Sequence, residues 1–322
     1  MKKIAITGAA GLIGKELVYK LLKKNFLLKI LDLKEQFIKQ KEYYYFLKRN
    51  KNVEIIKGSI LESKKCLKLV KDVDLLIHLG AMLGVKNTEM KRYDCYNVNF
   101  KGTENLLNSL IHNKCNRIIF ASSSEVYGEP KKNPIKEDFA LNGTSIYALT
   151  KILSEKQIIA YQKMYKSFNY TILRFFNTYG PNQVAQFLIP KFFNLINKNK
   201  SFLINGDGNQ VRGYLYVTDL VENILSIINN KNTYNKIYNL GNSREVYKIK
   251  TLVKKILKLT KIKNKVIYDR FFKIGDRNKS REIYKRICST KLAEKDFSFK
   301  ASTTLDAGFR QMFKQKNFRE NW

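Results

Sequence analysis

The sequence predicts an α/β chain organised on a parallel, doubly wound sheet, and three observations carry that expectation. Apolar runs rich in Ile, Leu and Val alternate with runs of helical periodicity through the first half of the chain. The first such run, Lys2 to Thr7, leads straight into glycines at positions 8, 11 and 14. A second run, Phe26 to Leu31, ends on Asp32.

Strands are expected at 2–7, 27–32, 53–57, 74–79, 117–122 and 170–175, with helices beginning near Leu12, Glu62, Asn97 and Ser145. After about residue 176 the pattern loosens, returns to α/β character over 213–242, and loosens again. The expected division is a sheet domain of residues 1–175 plus 213–245, and a smaller, discontinuous lobe of 176–212 plus 246–322. In a doubly wound sheet ligands enter the crevice at the strands' C-terminal ends, so those ends are the places to look for chemistry.

At the first strand end, Gly8-Ala9-Ala10-Gly11-Leu12-Ile13-Gly14 joins a strand to a helix. Backbone N–H groups and the positive helix end then face a common point where a pyrophosphate can sit. Gly8 permits the turn, Gly11 a close approach of phosphate, Gly14 close packing of helix on strand, and Leu12 and Ile13 supply helix N-terminal amides. Three glycines alone also fit a purely structural loop. Asp32 adds the acid that accepts hydrogen bonds from an adenosine ribose, which makes this a dinucleotide site and favours NAD over NADP. Gly58-Ser59-Ile60 follows the third strand and is placed to line the adenine pocket. His78-Leu79-Gly80-Ala81 follows the fourth, where small residues let backbone approach the cofactor; His78 itself is expected to be a core histidine. Asn99 opens the next helix and either packs there or ties the helix to the cofactor site.

Composition narrows the function classes. The chain has 322 residues, 44% hydrophobic and 12% aromatic, enough for a large core. Its formal net charge is +34, from 61 Lys and Arg against 27 Asp and Glu. The cations are scattered among Asn and Ile, as in Lys198-Asn199-Lys200, without a block of five or six and without a nucleic-acid motif. A compositional bias expressed on solvated faces is the expectation, with no specific nucleic-acid partner. Cys66, Cys95, Cys115 and Cys288 are far apart, and His78 and His112 are the only histidines, so no metal site and reduced thiols are expected. The longest apolar stretch, Val73 to Val85, is interrupted by Asp74 and His78 and is too short to cross a bilayer. No membrane insertion and a cytoplasmic location follow as expectations.

The reactive constellation is Tyr147-Ala148-Leu149-Thr150-Lys151, which puts a phenol and an amine one helical turn apart on one face. Ser122-Ser123-Ser124-Glu125-Val126-Tyr127-Gly128 ends the preceding strand and can bring a hydroxyl beside that phenol. A tyrosine ionises near ~10 in water. A neighbouring ammonium and a positive nicotinamide are expected to lower that value, letting Tyr147 take a hydroxyl proton as hydride leaves the same carbon. Ser123 would hydrogen-bond the reacting oxygen, and Lys151 would also hold the nicotinamide ribose.

These motifs resemble, nearly end to end, an extended short-chain dehydrogenase/reductase of the NAD-dependent nucleotide-sugar epimerase/dehydratase family. The matching stretches are TGAAGLIG, Asp32, HLGA, NVNFKGT, SSSEVYG, YALTK, RFFNTYGPNQ, GDGNQVRGYLYVTDL and YNLGN. The resemblance implies a Rossmann sheet, tightly held NAD, and Ser123, Tyr147 and Lys151 as the catalytic triad. It implies Glu125 as a further catalytic candidate, and Ser124, Asn177 and Arg212 as residues that hold the nucleotide-diphosphate sugar. A structural Arg212 paired with an acid is the alternative. It also implies a homodimer, formed by the helices that begin near Asn97 and Ser145.

Departures from the family pattern set the expected reaction. Ser59 stands where an Asp is frequent, and Ser124 precedes Glu125 where 4,6-dehydratases carry an Asp–Glu pair. A Ser–Glu pair resembles the UDP-glucuronate decarboxylases. Ile274-Gly275-Asp276 echoes a family Pro-Gly-Asp, with Lys273 in place of an arginine. The expectation is a 4-epimerase acting through a transient 4-keto sugar. The alternatives are a UDP-glucuronate decarboxylase or a nucleotide-sugar 4,6-dehydratase, and, more remotely, a non-catalytic Rossmann binding protein.

Overall fold

The protein is described by a computed structural model covering residues 2–181, 183–261, 265–271 and 282–314. Lys273 and the Ile274–Asp276 motif lie outside the described residues. Six strands form in chain order: β1 (Lys3–Thr7), β2 (Leu27–Asp32), β3 (Val53–Lys57), β4 (Leu75–His78), β5 (Arg117–Ser123) and β6 (Asn169–Phe175). Each agrees with its sequence expectation to within a residue or so at either end. A seventh, Lys236–Leu240, returns from the later part of the chain, and the order across the parallel sheet is seventh, 6, 5, 4, 1, 2, 3. The winding reverses between β4 and β1, which opens the crevice at the ends of those strands.

Alternation along β1 explains the two-sided burial. Ile4 and Ile6 enter one apolar cluster with Leu28 and Ile30, while Ala5 enters the other with Leu31 and Leu76. Helices α1 (Leu12–Lys23), α2 (Lys34–Lys39), α3 (Lys41–Arg49) and α4 (Ser63–Val70) follow the first three strands. The sequence reading assigned nothing to α2 and α3, yet Phe37, Tyr43 and Leu47 pack them into the core. They also brace the glycine loop, because Gln40 Nε2 donates to the Ala10 carbonyl at 2.8 Å and the Tyr43 hydroxyl to Ala9 at 2.9 Å.

The helix expected from Asn97 begins earlier. Short helices α5 (Val85–Met90) and α6 (Arg92–Tyr96) precede a π-helical turn, Asn97–Lys101, which runs on into α7 (Gly102–His112). A π turn inserts one residue into the helical ladder, and such turns concentrate at functional sites. Here it presents Asn99 toward the loop after β4. Helix α8 (Ile146–Met164) starts where expected, capped by Ser145, whose Oγ accepts the Ala148 N–H at 3.0 Å.

A separate apolar cluster, including Phe192, Phe193, Phe202, Ile204, Leu252, Ile256 and Phe309, packs the later segments together. Lys291–Phe297, a helix within the stretch expected in the second lobe, instead sends Ala293 and Phe297 into the cluster shared with β1 and α1. No helix among the described residues is long and apolar enough to cross a membrane.

Candidate active site

One cleft of about 2100 Å³ runs from the glycine loop, past the ends of β4, β5 and β6, to Leu203, Asn205 and Arg212. It is lined at one end by Gly8, Gly11, Leu12, Ile13, Gly14, Asp32, Ser59, Ile60, Leu79, Gly80 and Ala81. Ser123, Ser124, Glu125, Tyr147, Lys151, Asn177 and Arg212 line the rest. All but one of the sequence candidates therefore converge on one surface; Asn99, 1% exposed, stands just behind it.

The glycine loop is shaped as a cradle. Gly8 adopts φ +72, and a Cβ there would stand 2.7 Å from the Gly80 nitrogen. A Cβ on Gly14 would meet the Gly8 carbonyl oxygen at 2.1 Å, so helix α1 reaches the strand end only without one. The Asp32 carboxylate accepts the Ala10 and Leu33 N–H groups, each at 2.8 Å. Burial raises the Asp32 pKa and those two bonds act against it. The close-packed glycines, open helix end and strand-end acid fit NAD. Ser59 is committed to a turn: its N–H donates to Glu62 and its Oγ accepts the Leu61 N–H.

Behind this surface a buried chain of hydrogen bonds fixes the loop after β4. Thr103 Oγ1 donates to the Asn99 carbonyl, so its oxygen must accept from His78 Nε2, 3.1 Å away. That leaves Nδ1 as acceptor for Thr7 Oγ1 at 2.6 Å, while Thr7 accepts the Gly80 N–H at 3.1 Å. His78 is thereby held as the Nε2–H tautomer. Burial and then Lys151 push its pKa down to about 3. It is a core histidine, as the sequence suggested. The Asn99 side chain closes the arrangement by accepting the Met82 N–H at 2.7 Å and donating to the Met82 carbonyl and to Thr150.

Tyr147 and Lys151 lie on one face of α8, opposite the end of β5. Lys151 is buried, and Nζ donates to the Ala121 carbonyl at 2.8 Å. Burial lowers its pKa to about 8, with Cys95 and Glu155 opposing. In the protein alone the Tyr147 pKa is pushed up, first by burial and then by the Glu125 carboxylate, while interaction with the Ser123 hydroxyl works the other way. The sequence reading foresaw the ammonium but not the desolvation of the phenol or the nearby acid. Glu125 Oε2 accepts from Ser145 Oγ at 3.2 Å, which draws its carboxylate to the start of α8. Glu89, which the sequence reading passed over, also reaches that start, accepting the Ile146 N–H at 3.4 Å.

Further motif residues meet in a buried network beside the cleft, which Ser122 also lines. Arg174 grips Glu155 with two bonds of 3.0 and 2.8 Å, and Ser122 donates to the same carboxylate. Arg174 also donates to the Tyr127 hydroxyl at 2.7 Å, which passes its proton bond to Asn239 at 2.6 Å. This buried network joins β5, α8, β6 and the seventh strand directly under Ser123.

Arg212 is 5% exposed and pairs with Glu282 at 3.2 Å, also donating to the carbonyls of Val211, Ile283 and Tyr284. It therefore has the acidic partner of the structural alternative while still lining the cleft. Arg286, missed in the sequence, lies beside it. Nothing local marks Arg286, because its neighbours Ser124 and Arg212 are far away in the chain. The four cysteines are buried and unpaired with one another, and burial pushes Cys115 up to about 11. Among the described residues no cluster of His, Cys, Asp or Glu could hold a metal ion.

Comparison with known proteins gives this geometry its family. The sequence pattern of the NAD dependent epimerase/dehydratase family matches residues 4–241. The UDP-N-acetyl-alpha-D-glucosaminuronate decarboxylase of Bacillus cytotoxicus is 34% identical over 281 residues, covering 85% of each chain. The human dTDP-D-glucose 4,6-dehydratase is 30% identical over 267 residues, covering 82% of this chain and 75% of that one. Among solved structures, UDP-glucuronic acid 4-epimerase from Bacillus cereus, in complex with UDP-glucuronic acid and NAD, superposes with a TM-score of 0.87 at 26% identity, covering 97% and 98% of the two chains. The chain belongs to the NAD-dependent epimerase/dehydratase family and is an enzyme of that class.

Proposed function

We propose that this family member is a nucleotide-sugar 4-epimerase that works through a transient 4-keto sugar, with UDP as the nucleotide. The observation that carries the reading is the meeting of Ser123, Tyr147 and Lys151 on one wall of a cleft whose other end fits NAD. Gly8, Gly11, Gly14, Asp32, Gly80 and Ala81 would hold the cofactor, which when bound supplies the hydride acceptor and donor.

Tyr147 removes the proton of the sugar's 4-hydroxyl as the base of the first step and returns it in the second. Burial and Glu125 raise its pKa in the protein alone; a positive charge on the ligand side and the Lys151 ammonium would act in the opposite direction. Ser123 hydrogen-bonds the reacting oxygen. Asn177 and Arg212 face the diphosphate; for Arg212 this means presenting the guanidinium edge that Glu282 orients. Re-reduction of the keto sugar from its other face gives the 4-epimer.

Decarboxylation is the second reading. It is favoured by the Ser124–Glu125 pair together with the 34% identical Bacillus cytotoxicus relative. The test is incubation of purified protein with UDP-glucose, UDP-N-acetylglucosamine and UDP-glucuronate, followed by mass and NMR analysis. A 4-epimer of unchanged mass is expected, and a product lighter by carbon dioxide would replace this reading with the second.

A homodimer in the cytoplasm completes the proposal. Leu149 and Leu153, one turn apart on α8, are each 44% exposed, an apolar face suited to a second copy. Light scattering is expected to give twice 37.7 kDa, and a clean monomer at micromolar concentration would count against it.

A further inference from the structure

Buried backbone groups need partners, and those of the turn between β1 and α1 find theirs in two different ways. The Gly8 carbonyl accepts the Gly11 N–H at 3.1 Å, and the Gly11 carbonyl accepts the Lys15 N–H at 2.9 Å, the first bond of α1. The carbonyls between them take side chains instead. The Tyr43 hydroxyl donates to the Ala9 carbonyl at 2.9 Å, and Gln40 Nε2 donates to the Ala10 carbonyl at 2.8 Å. On the opposite edges of the same two peptide units, the Ala10 N–H donates to Asp32 at 2.8 Å and the Gly11 N–H to Gly8. Both peptide planes are thus held at both edges.

The planes matter because α1 begins immediately after them. Gly11 has no side-chain cap bond and the first turn of α1 holds no acid, so its N–H groups remain open to an anion. A released plane could swing its carbonyl oxygen toward that open end, where an acceptor repels phosphate. Gln40 lines the cleft, and Tyr43, 3% exposed, stands behind it. Gln40 is the residue between α2 and α3, with Tyr43 on α3, so both bonds depend on this helical pair docking on the turn. Helix α1 holds Tyr43 from the other side. The Tyr19 ring packs on it edge-on at 5.7 Å, and the Lys15 ammonium lies 5.0 Å from its centroid.

We propose that Gln40 and Tyr43 are positioning residues for the dinucleotide. By holding the Ala10 and Ala9 carbonyls on the α2–α3 side, they keep the turn and the open end of α1 in the orientation that binds a pyrophosphate. The inference rests on the NAD site and not on which sugar reaction follows. Neither residue makes or breaks a bond in that reaction. Their effect falls on the phosphates of the cofactor and spares its adenosine.

Displacement of radiolabelled NAD from the loaded protein by ADP and by adenosine reads this, because only ADP carries the diphosphate. Tyr43→Phe keeps the ring and removes the donor. It is expected to weaken ADP about five- to tenfold, the worth of one hydrogen bond, and to leave adenosine within about twofold. Gln40→Ala is expected to do the same. Equal weakening of ADP and adenosine would mark a merely structural role and overturns the proposal, as does ADP affinity within about twofold of the parent in either variant. Should Gln40→Ala not fold, Tyr43→Phe decides alone. Should labelled NAD resist displacement from the parent, its release rate into unlabelled NAD is read instead. Release about five- to tenfold faster in Tyr43→Phe is then expected, and an unchanged rate overturns the proposal. A failure of 4-epimerisation would appear in product analysis of the unmodified enzyme and leaves this binding comparison intact.

Discussion

The Lys151 ammonium lies 5.9 Å from the centroid of the Tyr147 ring, and its hydrogen bond goes to the Ala121 carbonyl, not to the phenol. Lysine and tyrosine are thus companions on one helical face without a direct bond. Through that bond to Ala121, Lys151 fixes the end of β5, where Ser123 stands, as well as charging the site.

Tyr147→Phe is expected to lower turnover about 10²–10⁴-fold, the usual contribution of a positioned base. Affinity for the nucleotide sugar should change little, because the residues proposed to hold the diphosphate, Asn177 and Arg212, are other than Tyr147. Steady-state kinetics with calorimetry checks the split; near-normal turnover in the variant would refute the proposed chemistry.

Glu125→Gln separates the two readings of the reaction. Glu125 raises the Tyr147 pKa, so its neutralisation eases ionisation of the phenol. The acid limb of the kcat/KM profile of a 4-epimerase should then move to lower pH with substantial activity retained. A loss of about 10²–10⁴-fold would instead assign Glu125 a proton-transfer role, as a decarboxylase or dehydratase requires.

Asp32→Asn tests the cofactor end. The carboxylate repels a 2′-phosphate and accepts from a free 2′-hydroxyl, so the parent should bind NAD much more tightly than NADP. The variant should narrow that ratio by about tenfold or more, the scale of one charged contact. Equal binding of both cofactors by the parent would contradict the role given to Asp32.

Glu155→Ala probes the network beneath Ser123. Leaving the buried Arg174 guanidinium without its carboxylate should destabilise the fold by about 3–5 kcal/mol. Urea unfolding followed by circular dichroism measures it, and a change below about 1 kcal/mol would show the pair to be dispensable.

His78 sets an acid limit on stability. Its folded pKa, about 3, is below the ordinary 6.5, so the unfolded chain binds a proton that the native state refuses. Stability is therefore unaffected by this group above about pH 6.5 and falls as pH drops from there toward 3, by at most about 1.4 kcal/mol per unit. His78→Gln should flatten that slope in urea unfolding at pH 7 and pH 5; an unchanged slope would place the acid sensitivity elsewhere.

Local chemistry explains what was legible from the chain alone. The glycine loop, Asp32, the Tyr147–Lys151 spacing and the strand-end serines each depend on a few consecutive residues, because a strand, a tight turn and one helical turn impose their own short periods. Alternation and apolar runs placed six of the sheet's seven strands for the same reason. Tertiary structure decided what depends on distant partners. Gln40, at the junction of α2 and α3, and Tyr43, on α3, brace the glycine loop from a stretch whose helices the sequence left unassigned. Burial and Glu125, which raise the pKa of the Tyr147 phenol in the protein alone, reach it only after α8 packs on β5. Arg286 comes beside Ser124 across 162 residues through a two-residue strand, and Arg212 meets Glu282 across 70. Burial and long-range strand pairing are properties of the assembled chain, so the charges that they bring together leave no periodic trace in the sequence.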